Sequence, residues 1–283
     1  MKTKAFTALI TAALIGGFGN TLLASNPQDP WLFLSLRFLI AGIIVTWWIP
    51  QFKTLNRKLI LASILEVASV ITLVLALSTI NVALATIVGA LTPILSLLIN
   101  KLTNHQPVTI KILIPITLGL TATILIATTN PPTPNTTTGT ILIIASTILG
   151  LTGSTLNGWY GSHTSPWTRT ALTNIIGAIA LTPILIINLT DTQATHPTWN
   201  MIIPALLVAI LSGIISKSLN LYALNTLPIP VVMQSSTLSL VTAVTTAAIF
   251  LNQPITVNTI LGIIIGTLSI ITLIWVMKNK KLN

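Results

Sequence analysis

Apolar residues fill this chain in blocks of about twenty, separated by short polar interruptions, and about twenty apolar residues are what a helix needs to cross the hydrocarbon core of a bilayer. Ten such blocks can be laid out, approximately 5–24, 31–50, 59–79, 82–100, 109–129, 139–160, 167–188, 201–224, 229–250 and 257–277. The interruptions carry turn-forming chemistry, as in "SNPQDP", "QFKTLNRK", "LTNHQP", "TTNPPTPNTT", "TDTQATHPT" and "LNQP". The shortest, near Asn81 and at Leu227-Pro228, leave hairpins with almost no loop. None is long enough to hold a soluble domain. The pattern predicts an all-α polytopic membrane protein with ten transmembrane helices.

Composition sharpens this. Of 283 residues 53% are hydrophobic and 6% charged, with a mean hydropathy of +0.93, whereas soluble domains carry about 25% charged residues. There is no cysteine, which excludes disulfides, thiolate metal sites and a cysteine nucleophile. A net charge of +10 could suit nucleic acid, but no basic patch is interleaved with aromatic residues, so no nucleic-acid partner is expected. The positions of the charges act instead as topology signals. With the N-terminus in the cytoplasm, Lys2, Lys4, Lys53, Arg57, Lys58, Lys101, Lys111, Arg169, Lys278, Lys280 and Lys281 all fall inside, while the outer loops hold Asp29 and Asp191 and no Lys or Arg. Missing one span would reverse every later loop and destroy that bias. Both termini are therefore expected inside. Lys2 and Lys4 before an apolar run resemble the start of a signal peptide, but the run exceeds the ~7–15 residues of such a region, and it is taken as an uncleaved first helix.

The chain also matches itself. At an offset of 147, "ALSTINVALATIVGALTP" (76–93) lies over "ALNTLPIPVVMQSSTLSL" (223–240), and the register continues without a gap through "HQPVT" (105–109) over "NQPIT" (252–256). At a slightly different offset, "ALIGGFGNTLL" (13–23) meets "TILGLTGSTLN" (147–157), which sets Gly16 and Gly19 over Gly150 and Gly153. This divides the chain into a first five-helix unit, 1–130, an external linker, 131–138, and a second five-helix unit, 139–283. An odd number of spans per unit sends the second unit through the membrane in the opposite sense. Inverted repeats of this kind are a common build for secondary transporters.

The "LSLRFLIAG" of the second span, the Ala90-Leu91-Thr92-Pro93 run of the fourth and the two "QP-x-T" turns resemble the EamA-type members of the drug/metabolite transporter superfamily, over the whole length of both repeats. The resemblance implies two inverted five-helix repeats around a central cavity, in a protein that moves amino acids, other small metabolites or drugs across a membrane, often outward. The chain departs from the family's pattern at His105-Gln106 and Asn252-Gln253, where Gly-Glu is common, in the "GGFGN" of its first helix, and at Leu240, which stands where the first half has Pro93.

A charge at mid-bilayer costs at least ~2.5–3.5 kcal/mol on insertion scales, so ionisable residues inside the spans must face protein or water. Glu66 lies near the middle of the third span with Ser63 and Ser69 at helical spacing. Lys217 lies at similar depth in the eighth, on a stripe with Gly213, Ser216 and Asn220. The 147 offset sets Gly213 over Glu66 and Ser216 over Ser69, so the two stripes belong to corresponding helices and should face each other. Glu66 and Lys217 are therefore the candidates for binding a substrate or a proton, and together they would suit a zwitterion. The competing reading is an ion pair that only locks the halves together, or a Glu66 kept protonated by burial. Arg37 either snorkels outward or lines the cavity, and Arg169 is placed at the cytoplasmic edge as an interface anchor. The polar end of the sixth span, with Asn157, Trp159, Tyr160 and His163, fits either a membrane-interface belt or, for Asn157 together with Asn20, cavity lining. Gln234 joins Asn20, Arg37, Ser63, Ser69, Asn157, Ser216 and Asn220 as candidate lining residues.

Enzymatic chemistry finds little support. His105, His163 and His196 are scattered over loops without carboxylate neighbours at ligand spacing, and no phosphate-cradling glycine loop is present. No cofactor, metal or nucleotide site is expected. The expected partners are a small-molecule substrate and the lipid bilayer. Coupling to a proton or ion, and a homodimer through the Gly262–Gly266 "GIIIG" spacing, are compatible with the sequence without being required by it. The sequence thus predicts a secondary transporter of the plasma membrane, with export the expected direction and alternating exposure of a midplane cavity as the mechanism. A lipid flippase would instead need a groove opening sideways to the bilayer. A scaffold or receptor would need a centre filled by side chains.

Overall fold

The computed structural model describes residues 2–24, 29–46, 56–77, 79, 82–103, 110–128, 136–190 and 197–278, and these residues form helices and short turns with no strand among them. The helices are α1 (Lys2–Ala24), α2 (Pro30–Thr46), α3 (Arg57–Leu77), α4 (Val82–Ala90), α5 (Thr92–Thr103), α6 (Leu113–Ala127, preceded by a single 3₁₀ turn), α7 (Thr137–Tyr160), α8 (Pro166–Thr190), α9 (Trp199–Val208), α10 (Lys217–Leu224), α11 (Ile229–Met233), α12 (Ser235–Phe250) and α13 (Val257–Lys278). A π-helical segment, Ala209–Ser216, joins α9 to α10 without a break. Eight of the resulting helical segments are long and apolar enough to cross a membrane, and two shorter apolar ones, Pro30–Thr46 and Leu113–Ala127, accompany them. The interruptions at Asn81, His105-Gln106 and Asp191-His196 lie outside the described residues.

Local chemistry explains several boundaries. Asp29 caps α2, its Oδ1 accepting from the Trp31 and Leu32 amides at 3.0 and 2.9 Å. This use of a carboxylate at a helix start satisfies orphan amides and complements the helix dipole. Thr136 does the same for α7 by accepting from the Gly139 amide at 3.0 Å. The fourth segment is broken at Leu91 because Pro93 has no amide hydrogen to give to the Gly89 carbonyl; the Thr92 hydroxyl takes over that role at 2.6 Å. The turn before α13 needs a left-handed residue, and Asn252 supplies it at φ 50°, a conformation asparagine tolerates better than most.

The principal packed pairs are α3 with α7, α6 with α13, α2 with α8 and α1 with α12; α1 also packs along α9, the π segment and α10. Counting α4–α5, α9–α10 and α11–α12 each as one segment, these pairings survive exchanging each segment with the one five places away. Third-with-sixth becomes eighth-with-first, first-with-ninth becomes sixth-with-fourth, and fifth-with-tenth and second-with-seventh map onto themselves. On the outside of the bundle large apolar side chains stand open, for example Ile43 (62% exposed), Ile179 (69%) and Ile187 (63%), the reverse of a water-soluble surface. A set of hydroxyl and amide side chains is buried between the helices, among them Ser35, Ser63, Asn157, Thr170, Asn174 and Gln234.

Candidate functional site

A cavity of about 560 Å³ lies within the bundle, lined from both halves of the chain by α1, α2, α3, α4, the start of α5, α7, α8, the π segment, α10, α11 and α12. That volume is in the usual range for small-ligand sites, about 300–1,000 Å³. Its walls depend on close backbone approach at small residues. On α7, a Cβ at Gly153 would stand 2.7 Å from Glu66 Cγ and 2.8 Å from the Ala62 carbonyl, and one at Gly150 would stand 2.7 Å from Ser69 Oγ. On α1, Gly16 faces Ser216 and Gly19 faces Ser212 in the same manner. Hydroxyl-to-carbonyl bonds fasten the same two interfaces. The Ser69 hydroxyl donates to the Ser146 carbonyl at 2.8 Å, and the Ser216 hydroxyl donates to the Ala12 carbonyl at 2.7 Å.

Glu66 and Lys217 meet across this cavity. The Lys217 ammonium contacts Glu66 Oε2 directly, Asn157 Nδ2 donates to Oε1 at 2.9 Å, and the Thr173 hydroxyl lies within 3.4 Å of Oε2 and donates to Ser63 Oγ at 3.1 Å. Each carboxylate oxygen thus has a donor, Asn157 at Oε1 and Lys217 at Oε2, which offsets part of the cost of holding the charge away from bulk water. The side chains keep 23% (Lys217) and 12% (Glu66) of their surface open, so the pair borders the cavity and is not sealed in the protein.

Arg37 faces inward. It lines the cavity, its Cζ sits 4.7 Å from the centroid of the Phe38 ring, and its buried Nε has no hydrogen-bond partner. Beside it, Asn174 donates to the Thr170 and Gly213 carbonyls, both at 2.9 Å. Ser69, Ser216 and Asn220 also line the cavity.

Four residues sit elsewhere than the sequence suggested. Ser63 is 1% exposed and lies behind Glu66, reaching the site only through Thr173. Asn157 is equally buried and serves as a ligand of Glu66, outside the cavity lining. Asn20 is exposed and stands a turn beyond Ala12, Ala13 and Gly16, which are the α1 residues that reach the cavity. Gln234 is 1% exposed at the break between α11 and α12, where its Nε2 lies 3.0–3.2 Å from Ser269 Oγ, the Pro115 carbonyl and Thr237 Oγ1; the break turns it away from the cavity and against α6 and α13.

Arg169 requires a further correction. It is no interface anchor: it is 1% exposed, and its guanidinium donates to the Asn157 carbonyl (3.0 Å), the Leu221 carbonyl (3.1 Å) and Asn225 Oδ1 (2.7 Å). It ties the ends of α7 and α10 to the start of α8. Exposed Trp167 and His163 occupy the surface at that end instead, and Lys58 Nζ lies 4.0 Å over the Tyr160 ring. Sequence reasoning missed Thr173 and Asn174, whose signal was a pair of adjacent polar residues inside the apolar seventh span.

The π segment changes the correspondence between the halves. A wide turn holds one more residue than an α turn, so Ser212 and not Gly213 takes the contact with Gly19 that Glu66 makes with Gly153. Gly213 is turned toward Arg37, Ala41 and Asn174 instead.

Apolar-faced helices of membrane length around a charged cavity define a multi-pass helical membrane protein. A model of the EamA-like transporter family matches residues 131–275. One solved crystal structure superimposes with a TM-score of 0.82 over all of both chains at 13% identity, a likeness that shows the fold. No curated protein sequence matches the chain. The chain belongs to the EamA-like transporter family, within the drug/metabolite transporter superfamily.

Proposed function

We propose that this protein is a secondary transporter of the plasma membrane, most simply an exporter, that moves a small metabolite, amino acid or drug by exposing its cavity to the two sides in turn. The reading takes the chain as ten spans in two inverted five-helix units with both termini inside. The observation that carries it is a cavity walled by both halves, into which the first half brings Glu66 and the second Lys217. The exchange symmetry of the packed pairs and the matched Ser69–Ser146 and Ser216–Ala12 bonds support two equivalent units, the arrangement from which alternating access follows.

Counterflow in proteoliposomes across amino acids, amines, organic acids, nucleosides and sugars tests the function. At least one class should exchange, and Glu66→Gln should slow that exchange by about tenfold or more, the scale of losing a charged contact. Absence of exchange for every class would remove the reading.

The topology has its own test, made easy by a chain without cysteine. A single His163→Cys should react with a membrane-impermeant maleimide only from the cytoplasmic side, and a single Gln253→Cys only from the opposite side; both positions are exposed. Labelling of the two from the same side would contradict the ten-span arrangement.

A further inference from the structure

The cavity holds three charged side chains, and they do not balance. Lys217 is engaged by Glu66, and Glu66 in turn by Lys217, Asn157 and Thr173. Arg37 is left over. No described side chain or carbonyl accepts a hydrogen bond from it; its Cζ lies over the Phe38 ring, and its Nε is buried without a partner among the described residues. The chain's other acidic residue among those described, Asp29, is occupied in capping α2. Arginine does not give up its proton to escape this situation, so the guanidinium stays a fixed positive charge inside the membrane-spanning bundle.

The cavity that Arg37 lines, about 560 Å³, makes room for a counter-charge. Beside Arg37 stands Gly213, where an added Cβ would have Asn174 Oδ1 at 3.5 Å and Ala41 Cβ and Arg37 Nε at 3.7 Å as its nearest neighbours, ordinary contact distances. Asn220 also lines the cavity, and its buried Oδ1, an acceptor with no partner among the described residues, suits a neutral or donor group of a ligand and not its anionic end. Part of the lining is apolar: Leu73, Ala85 and Ile143 pack together on it, and Leu151 also borders the cavity.

We infer that the transported solute is an organic monoanion, a carboxylate with an apolar body, and that Arg37 receives its carboxylate. This rests on the transport reading above and deepens it. It differs from the expectation of a zwitterion held by Glu66 and Lys217 together, because those two groups engage each other. A planar guanidinium presents paired N–H groups that match a carboxylate, which a lone ammonium does not.

The test uses the full chain in detergent and measures ligand-dependent thermal stabilisation with three probes of one shape, 3-phenylpropionate, 3-phenylpropylamine and 3-phenylpropionamide, with inorganic phosphate at matched ionic strength. The carboxylate should stabilise the protein and the amine, amide and phosphate should not. Arg37→Gln should raise the half-saturating carboxylate concentration by about tenfold or more, and Arg37→Lys by less, because one charge-assisted bidentate contact is replaced by a point charge. Gly213→Asp supplies a carboxylate from the protein itself, within reach of Arg37, and should abolish carboxylate stabilisation while leaving the ligand-free melting temperature at or above that of the parent. If it does not fold, Arg37→Gln alone decides. Stabilisation by the amide, amine or phosphate equal to that by the carboxylate overturns the inference, as does an Arg37→Gln protein that binds the carboxylate normally. Counterflow of the same probes separates the two readings. Carboxylate binding that depends on Arg37 without exchange would leave the site standing and remove transport, and exchange of solutes that ignores Arg37 would do the opposite.

Discussion

Lys217→Met destabilises the protein by about 3 kcal/mol, the lower end of what breaking a buried ion pair costs when one charge is left behind. Glu66 would keep its bond to Asn157 but lose the one cation among the described residues that touches it. The lower end applies because the two side chains remain partly open to the cavity, at 23% and 12%, so water can reach the orphaned carboxylate. Glu66→Gln combined with Lys217→Met removes both charges and should recover most of the loss, since a neutral amide can still accept from Asn157. Denaturant-induced unfolding of the purified protein in mild detergent measures all four corners of the cycle. A double variant no more stable than Lys217→Met alone would mean that the ammonium acts through something other than Glu66. Transport should fail in both, so that stability and activity part company in the double variant.

Gly153→Val is the second large effect, and it arises from crowding. The first added carbon at this position meets Glu66 Cγ at 2.7 Å and the Ala62 carbonyl at 2.8 Å. The glutamate could turn aside, but the carbonyl belongs to a helix, so α3 and α7 must separate. Over-packing against fixed atoms costs ~1–3 kcal/mol and sometimes more, and here it also pulls Asn157 away from Glu66. Thermal unfolding should show a loss of at least ~3 kcal/mol together with impaired exchange. Gly89→Ala is the matched comparison. Nothing lies within 4 Å of a Cβ there, and replacing a helical glycine by alanine is worth about 0.5–1 kcal/mol in the helix's favour. Equal damage from the two changes would show that the α3–α7 contact is not what the glycine protects.

These cases mark where the sequence was legible. The meeting of Glu66 with Lys217 could be anticipated because both stripes are polar residues at helical spacing in otherwise apolar spans, and the 147-residue register made them counterparts. Gly150 and Gly153, matched to Gly16 and Gly19 only as part of the repeat, mark two close helix contacts in the structure. What could not be anticipated was rotation about a helix axis after an irregularity. The π segment has no distinctive composition, yet its wider turns move Gly213 from the expected counterpart of Glu66 to a place beside Arg37. At Gln234 the break between α11 and α12 has the same consequence, sending an amide expected in the cavity toward Pro115 and Ser269. Arg169 misled for another reason. An arginine at the start of an apolar block is usually held by the headgroup region, and only the arrival of the Leu221 carbonyl and Asn225 from distant sequence makes burial acceptable there.

Glu66 and Lys217 come from opposite halves of the chain, and this makes their contact a clock as well as a bond. Should one half rock past the other, the two groups must either let go of each other or travel together, and each choice leaves its own trace. If they let go, a proton or a visiting charge has to attend each of them for that interval, and turnover would slow as the bond is strengthened. If they travel together, the pair is the fulcrum about which everything else in the bundle turns.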